Sequence, residues 1–225
     1  MKKDFEKAIL FDFDGVVANS EPSYEKVIRK MFKKHNVSLK SSDWAEFRGL
    51  SRDVFFNIVL EKYIFNTNRE LLEEEFNQTL LIEMKDTIIY IPGFLEFYNL
   101  VNKHFSTALV TSTSSDLMNW IFKNTKIVNN FYPVITADNV DNTKPHPEPY
   151  LKAAKILNIP ISNCIVIEDS VNGVKSAKKS GAKVIGITTG FSSSELQSAD
   201  LIIDFYNELD LEKLNILLNK GENNE

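Results

Sequence analysis

The run Ala8-Ile9-Leu10-Phe11 is apolar without a break and stops in Asp12-Phe13-Asp14-Gly15. A short unbroken run of this kind predicts a strand covered on both faces, the type found in parallel sheets. Similar runs stand at Thr107-Ala108-Leu109-Val110, Val134-Ile135-Thr136-Ala137, Cys164-Ile165-Val166-Ile167, Val184-Ile185-Gly186-Ile187 and Leu201-Ile202-Ile203. Between them apolar residues recur at helical spacing. Pro92-Gly93 opens a helix through Phe94, Phe97, Tyr98 and Val101. Ser114 or Ser115 caps one through Leu117, Trp120 and Ile121. Leu151, Ala154 and Leu157 mark another, and Ser170 caps a helix through Val171, Val174 and Ala177. That helix closes with Lys178, Lys179 and Gly181, and Leu209 to Leu218 form the last. Strand-helix alternation predicts right-handed crossovers and a parallel α/β sheet.

Residues 18 to 87 break this pattern and read as a helical insert. Val27, Ile28, Met31 and Phe32 form one amphipathic set, with Pro22 in its first turn. Val54, Phe55, Ile58 and Val59 form a second. Thr67-Asn68-Arg69-Glu70 has the capping-box spacing and opens a third helix through Leu72, Phe76 and Leu80. Arg48-Gly49-Leu50-Ser51-Arg52 is a turn carrying two guanidiniums. The tail Gly221–Glu225 reads as frayed. The expected organisation is a core made of residues 1–17 and 88–225, with the insert 18–87 between its two parts.

Composition narrows the class. The 225 residues are 43% hydrophobic with 16 Phe, enough for a sizeable core. A net charge of −5 speaks against non-specific nucleic-acid binding, which needs a basic surface. Lys2 and Lys3 precede an apolar run too short for a signal peptide, and no apolar stretch reaches bilayer-spanning length. The single Cys164 has no disulfide partner in the chain and sits inside a strand run, so it reads as a small buried apolar residue. A cytoplasmic protein, monomeric and without membrane contact, is expected.

The candidate chemistry lies at strand ends. Asp12 and Asp14, at i and i+2, fall on one side of an extended chain. Two carboxylates that close repel unless a proton or cation intervenes, and a hard divalent ion with oxygen ligands is the simplest resolution. Gly15 lets the backbone turn at once. Thr111 and Ser112 end another strand, and Glu168-Asp169 a third. Lys144 is held on a stiff loop by Pro145 and Pro147. Ligands of open parallel sheets sit outside the carboxyl ends of strands, where these groups converge. Carboxylates, hydroxyls and one fixed ammonium suit an anionic substrate and phosphoryl transfer. Each has a plainer reading: a strand-ending hydroxyl for Thr111, a solvated lysine for Lys144, a helix N-terminal acid pair for Glu168-Asp169. His146 reads as structural, and His35 and His104 as surface groups at helix ends.

Asp12-Phe13-Asp14-Gly15-Val16, the run into Thr111, Lys144-Pro145-His146-Pro147-Glu148, and Glu168-Asp169-Ser170 with Gly173 resemble the four motifs of the haloacid dehalogenase superfamily. The nearest branch is that of phosphoglycolate phosphatase and β-phosphoglucomutase. The resemblance implies a Rossmann-like parallel core with a small helical cap domain. It implies Asp12 as a nucleophile forming an aspartyl-phosphate, and Asp14 as acid and then base. Thr111 would bond the transferring phosphoryl group and Lys144 would neutralise charge. Mg2+ would sit on Asp12, Asp169 and the backbone carbonyl of Asp14, with Glu168 joining directly or through water. Ser112 and Arg52 would meet the substrate, a small phosphorylated metabolite such as a sugar phosphate or phosphoglycolate. The dehalogenases of the superfamily lack the second Asp, so this chain departs from them.

Two other functions share the pattern. A phosphomutase would pass the phosphoryl group to a sugar. In the β-phosphoglucomutase group a histidine associated with gating stands where this chain has Tyr24. A receiver-type phospho-accepting module also clusters acids, a hydroxyl and a lysine on a parallel sheet. The paired aspartates on one strand and the insert count against it.

Overall fold

The computed structural model describes residues 5–47, 50 and 52–219, with the side chains of residues 41, 42, 45 and 53 set aside. Arg48, Gly49 and Ser51 of the two-arginine turn, Lys2, Lys3 and the tail 221–225 lie outside the described residues.

The chain begins with β1 (Ala8–Phe11) and β2 (Ala18–Asn19). Four helices follow: α1 (Glu21–Lys34), α2 (Ser41–Phe47), α3 (Arg52–Lys62) and α4 (Arg69–Thr87). Then come β3 (Ile89–Tyr90), α5 (Phe94–Val101), β4 (Ser106–Val110), α6 (Ser115–Asn124), β5 (Val134–Ile135) and α7 (Glu148–Leu157). The chain continues through β6 (Cys164–Glu168), α8 (Val171–Ser180), β7 (Lys183–Ile187), β8 (Leu201–Ile203) and α9 (Leu211–Asn219).

Six strands form one sheet in the order β5-β4-β1-β6-β7-β8, with every pair parallel. Strand β1 lies inside it, with Leu10 opposite Ala108 on one side and Val166 on the other. Its alternating side chains feed two apolar layers. Ile9 and Phe11 join Phe94, Phe97 and Val101 of α5 and Leu214 of α9. Ala8 and Leu10 join Tyr150 and Ala153 of α7 and Val174 of α8. Helices therefore cover both faces, which is why β1 and β6 read as unbroken apolar runs. Phe11, the residue before Asp12, meets Phe94 edge-on at 5.6 Å. Burying such a ring stabilises the fold by roughly 1.5–3 kcal/mol.

The helices α1–α4 lie between β2 and β3, which pair antiparallel through Ala18–Tyr90 and Asn19–Ile89. That pairing joins the two chain crossings into the helical segment. Its interior is aromatic: Phe32 meets Phe65 edge-on, and Phe55 and Phe56 pack on Phe76.

Several expectations shift in detail. The strand expected over 134–137 ends at Ile135, and residues 137–139 make a short 3-10 turn. Thr136 leaves the strand because Asn139 Oδ1 accepts from both its backbone N–H and its hydroxyl. The cap of α4 is Asn68 rather than Thr67, with Asn68 Oδ1 accepting from Leu71 N–H at 2.9 Å. Helix α3 buries Phe55, Phe56 and Val59, while Val54 is exposed, so the larger rings claim the inner face. Helix α2 has too few apolar residues to show helical periodicity. His35 is no plain surface group: its ring packs on Phe65 and its Nε2 lies 3.1 Å from Glu75 Oε2.

Candidate active site

The turn after β1 is built by Gly15, which has φ +73°. Gly15 N–H donates to Ala18 O at 2.8 Å, and the N–H groups of Val17 and Ala18 both donate to Phe13 O. A residue with a Cβ is strained at that φ, so the tight turn needs glycine. It leaves Asp12 and Asp14 at the carboxyl edge of the sheet. Asp12 is anchored by its own N–H, which donates to Ile167 O at 3.0 Å.

Lys144 enters from the loop between β5 and α7, and its side chain is only 6% exposed. Its Nζ donates to Asp12 Oδ1 at 2.5 Å, to Glu168 Oε1 at 2.7 Å and to Val110 O at 2.9 Å. It also stands 5.1 Å above the Tyr150 ring. Its loop is held from both sides: Glu148 accepts from the backbone N–H groups of Asp141 and Asn142, and Ser176 Oγ donates to His146 O. The Lys144 ammonium is held above its usual pKa: burial opposes this, and the Asp12 and Glu168 carboxylates outweigh it.

Glu168 ends β6 fully buried. Besides Lys144, its Oε1 accepts from Tyr150 OH at 2.7 Å. Its Oε2 accepts from the N–H groups of Asp169 and Ser170 and from Ser170 Oγ. Ser170 Oγ also caps α8, accepting from Gly173 N–H at 3.0 Å. Asp12, Glu168 and Asp169 each offer an oxygen, all within 4.8 Å of one another.

Asp14 is set apart. Ser20 donates to its Oδ1, and Thr113 Oγ1 donates to its Oδ2 at 3.3 Å. Thr111 is buried beside Asp12's strand, with its N–H donating to Ile135 O and its Oγ1 accepting from Thr113 N–H. Ser112 is exposed, as is Arg52 at the first turn of α3. The charges of both Asp14 and Arg52 reach the half-buried Tyr24 phenol, which desolvation pushes well above its usual pKa.

Burial raises Asp12, Asp14 and Asp169 as well, and neighbouring carboxylates add to it. Lys144 opposes the shift at Asp12, and the Ser20 and Thr113 hydroxyls oppose it at Asp14. One ammonium does not balance four carboxylates. The set therefore has the charge and the hard oxygen donors that a divalent cation takes.

Sequence reasoning missed Ser20, Thr113 and Tyr150. Tyr150 stands in an apolar helical repeat, and the two hydroxyls have no spacing that ties them to Asp14. Cys164 is buried, and burial pushes its thiol up to about 12, so it is no nucleophile.

Fold and site define a class: a parallel α/β core with paired aspartates at the tip of an inner strand and a lysine delivered from a distant loop. Residues 9–187 match the family described as haloacid dehalogenase-like hydrolase, and the chain belongs to that family. It is 31% identical over 185 residues to Putative phosphatase YhcW of Bacillus subtilis, covering 80% of this chain and 82% of that one. It is 30% identical over 197 residues to Protein SUPPRESSOR OF QUENCHING 1, chloroplastic, of Arabidopsis thaliana; the match covers 85% of this chain and 19% of that protein's length. Among solved structures, HAD hydrolase, family IA, variant 3 from Entamoeba histolytica superposes with a TM-score of 0.82 at 26% identity, covering 94% of this chain and 99% of that one. No helix among the described residues is long and apolar enough to cross a membrane.

Proposed function

We propose that this protein is a Mg2+-dependent phosphatase that hydrolyses a small phosphorylated metabolite through a phosphoryl group carried on Asp12. One observation carries the reading: buried Lys144 bonds both Asp12 and Glu168 across the tips of β1 and β6. A fixed ammonium beside a strand-tip carboxylate serves an anionic substrate better than it serves stability, because burying charge costs several kcal/mol per ion.

Asp12 attacks phosphorus, and the bond to the ester oxygen breaks. Asp14 gives that oxygen its proton. Asp14 then takes a proton from water, the water oxygen attacks phosphorus, and the Asp12–phosphorus bond breaks to release phosphate. Thr111 donates a hydrogen bond to the phosphoryl group, and Lys144 offsets charge on Asp12 and on the phosphoryl oxygens. Burial keeps Asp14 above the usual carboxylate range, which suits a group that must hold a proton near neutrality. Mg2+ fits the donor set of Asp12, Asp169 and Glu168, with the carbonyl of Asp14 as a further oxygen. When bound, the ion supplies positive charge that offsets the phosphoryl oxygens.

Helices α1–α4 are the cap, residues 18–87, on a core of 1–17 and 88–225. Arg52 from the cap and Ser112 from the core meet the substrate. The buried Cys164, with no second cysteine to pair with, and the net charge of −5 fit a cytoplasmic enzyme, and a monomer is the simplest state.

The test is hydrolysis of p-nitrophenyl phosphate, followed by a panel of phosphorylated metabolites, with Mg2+ and with excess EDTA. Phosphate release that needs Mg2+ is expected. No turnover of any phosphoester, or full turnover in EDTA, overturns the reading.

A further inference from the structure

The loop after β7 reaches the acid cluster without adding an acid to it. Thr189 Oγ1 donates to Gly15 O at 2.5 Å. This pins the loop to the turn that presents Asp12 and Asp14. The next residue, Gly190, lies against Asp169. A Cβ at Gly190 would stand 2.2 Å from Asp169 Oδ2. A Cβ at Gly15 would stand 2.0 Å from the same oxygen. The Asp169 carboxylate therefore occupies a slot between two glycine backbones, one from the β1 turn and one from the β7 loop. The two glycines differ in kind. Gly15 is also required by its φ of +73°, whereas Gly190 is outside the left-handed region. Alanine at 190 has no left-handed backbone to strain it, and its methyl group collides only with the Asp169 carboxylate, Oδ2 at 2.2 Å and Cγ at 3.2 Å.

We propose that Thr189 and Gly190 are positioning residues for the bound cation: Gly190 leaves the slot in which the Asp169 carboxylate stands, and Thr189 holds that slot to the Asp12–Gly15 turn. Asp12 and Asp169 directly follow the paired strands β1 and β6, and the Asp12 N–H bond to Ile167 O sets the spacing of their backbones. The aim of the Asp169 side chain is left to the loops that flank it. The Thr189 hydroxyl ties the β7 loop, which carries Gly190 against Asp169, to the turn after β1. The inference rests on the proposal that these acids hold Mg2+. Gly173 makes a parallel arrangement for the other acid, since a Cβ there would stand 1.8 Å from Glu168 Oε1.

The test titrates Mg2+ into wild type, Gly190→Ala and Thr189→Val by isothermal calorimetry, with circular dichroism as the check on folding. Groups that orient a metal ligand are commonly worth about 10–100-fold in affinity. Gly190→Ala is expected to weaken Mg2+ by at least about tenfold while keeping the wild-type spectrum. Thr189→Val is expected to weaken it about threefold, as loss of one neutral hydrogen bond would. In both, half-maximal activity should move to higher Mg2+ while kcat at saturating Mg2+ recovers, which a merely structural role would not produce. Wild-type Mg2+ affinity in a folded Gly190→Ala overturns the inference. If that variant does not fold, unchanged affinity in Thr189→Val overturns it instead. If wild type takes up no Mg2+, the Mg2+ reading itself fails and the inference falls with it.

Discussion

Two aspartates two residues apart live in different surroundings. Asp12 is clamped to an ammonium, and Asp14 is held by two hydroxyls, Ser20 and Thr113. Burial raises the Asp12 carboxyl, and the ammonium opposes that shift, favouring the charged form that attacks. At Asp14 burial outweighs the two hydroxyls that oppose it, which keeps the carboxyl above its usual range. Asp12→Asn keeps the shape and removes the attacking charge, so turnover should fall by about 10³-fold or more with the circular dichroism spectrum unchanged. Asp14→Asn should slow both formation and breakdown of the phosphorylated enzyme, seen as a smaller burst and a smaller steady rate. Multiple turnover by Asp12→Asn near the wild-type rate would rule out the covalent route. Tyr24 decides between two outcomes for that phosphoryl group. Its phenol is neutral at pH 7 and, once desolvated, harder still to ionise. It cannot exchange a proton as an imidazole does, so nothing at this position restrains Asp14 from activating water. Incubated with β-glucose 1-phosphate and a trace of the bisphosphate, the protein should release inorganic phosphate. Rapid appearance of glucose 6-phosphate without phosphate release would make it a mutase.

Among the elements, the pair α1 and α4 shows how the helical segment is held. Glu83 of α4 is only 6% exposed yet faces two lysines of α1, Lys26 and Lys30. The hydrogen bonds from Lys26 and Lys30 hold its carboxyl below the usual range, against a smaller opposing effect of burial. A depressed folded pKa means the contribution is present above the unfolded value near ~4.3 and is lost as pH falls through the folded one. Glu83→Gln should therefore melt about 2 °C lower than wild type at pH 7, in keeping with a screened ion pair. The gap should close progressively below pH ~4. A gap that stays constant down to pH ~3 would mean the packing of the side chain, not its charge, matters.

At the scale of the whole molecule, the helical segment hangs on two chain crossings joined by the β2–β3 pair. Ser23 and Thr87 bond each other beside that junction at 2.6 Å. Two crossings allow rotation about one line, and closure over the strand tips would bring Arg52 to the far end of a bound substrate. Arg52→Ala should then lower kcat/KM about tenfold or more for the natural phosphoester and little for p-nitrophenyl phosphate, whose far end offers nothing to a guanidinium. Equal losses on both substrates would place Arg52 outside substrate recognition.

The alternation of strands and helices, the insert after β1 and the acids at strand tips were all legible from the chain. They depend on interactions within a few residues: period of burial, capping by Ser114 and Ser170, and the turn at Gly15. Asp12, Asp14, Thr111, Glu168 and Asp169 stand out as candidates because they lie at or just past the ends of buried strands, and Lys144 because Pro145 and Pro147 follow it. What the chain alone did not disclose were partners set by folding across long separations. Thr113 reaches Asp14 over 99 residues, and Thr189 reaches Gly15 over 174. Tyr150 looks like one more core ring until α7 packs its hydroxyl on Glu168. Gly190 looks like any loop glycine until β7 carries it against Asp169. Periodicity reports which side of an element is buried, and only the packed sheet decides which distant side chain is waiting there.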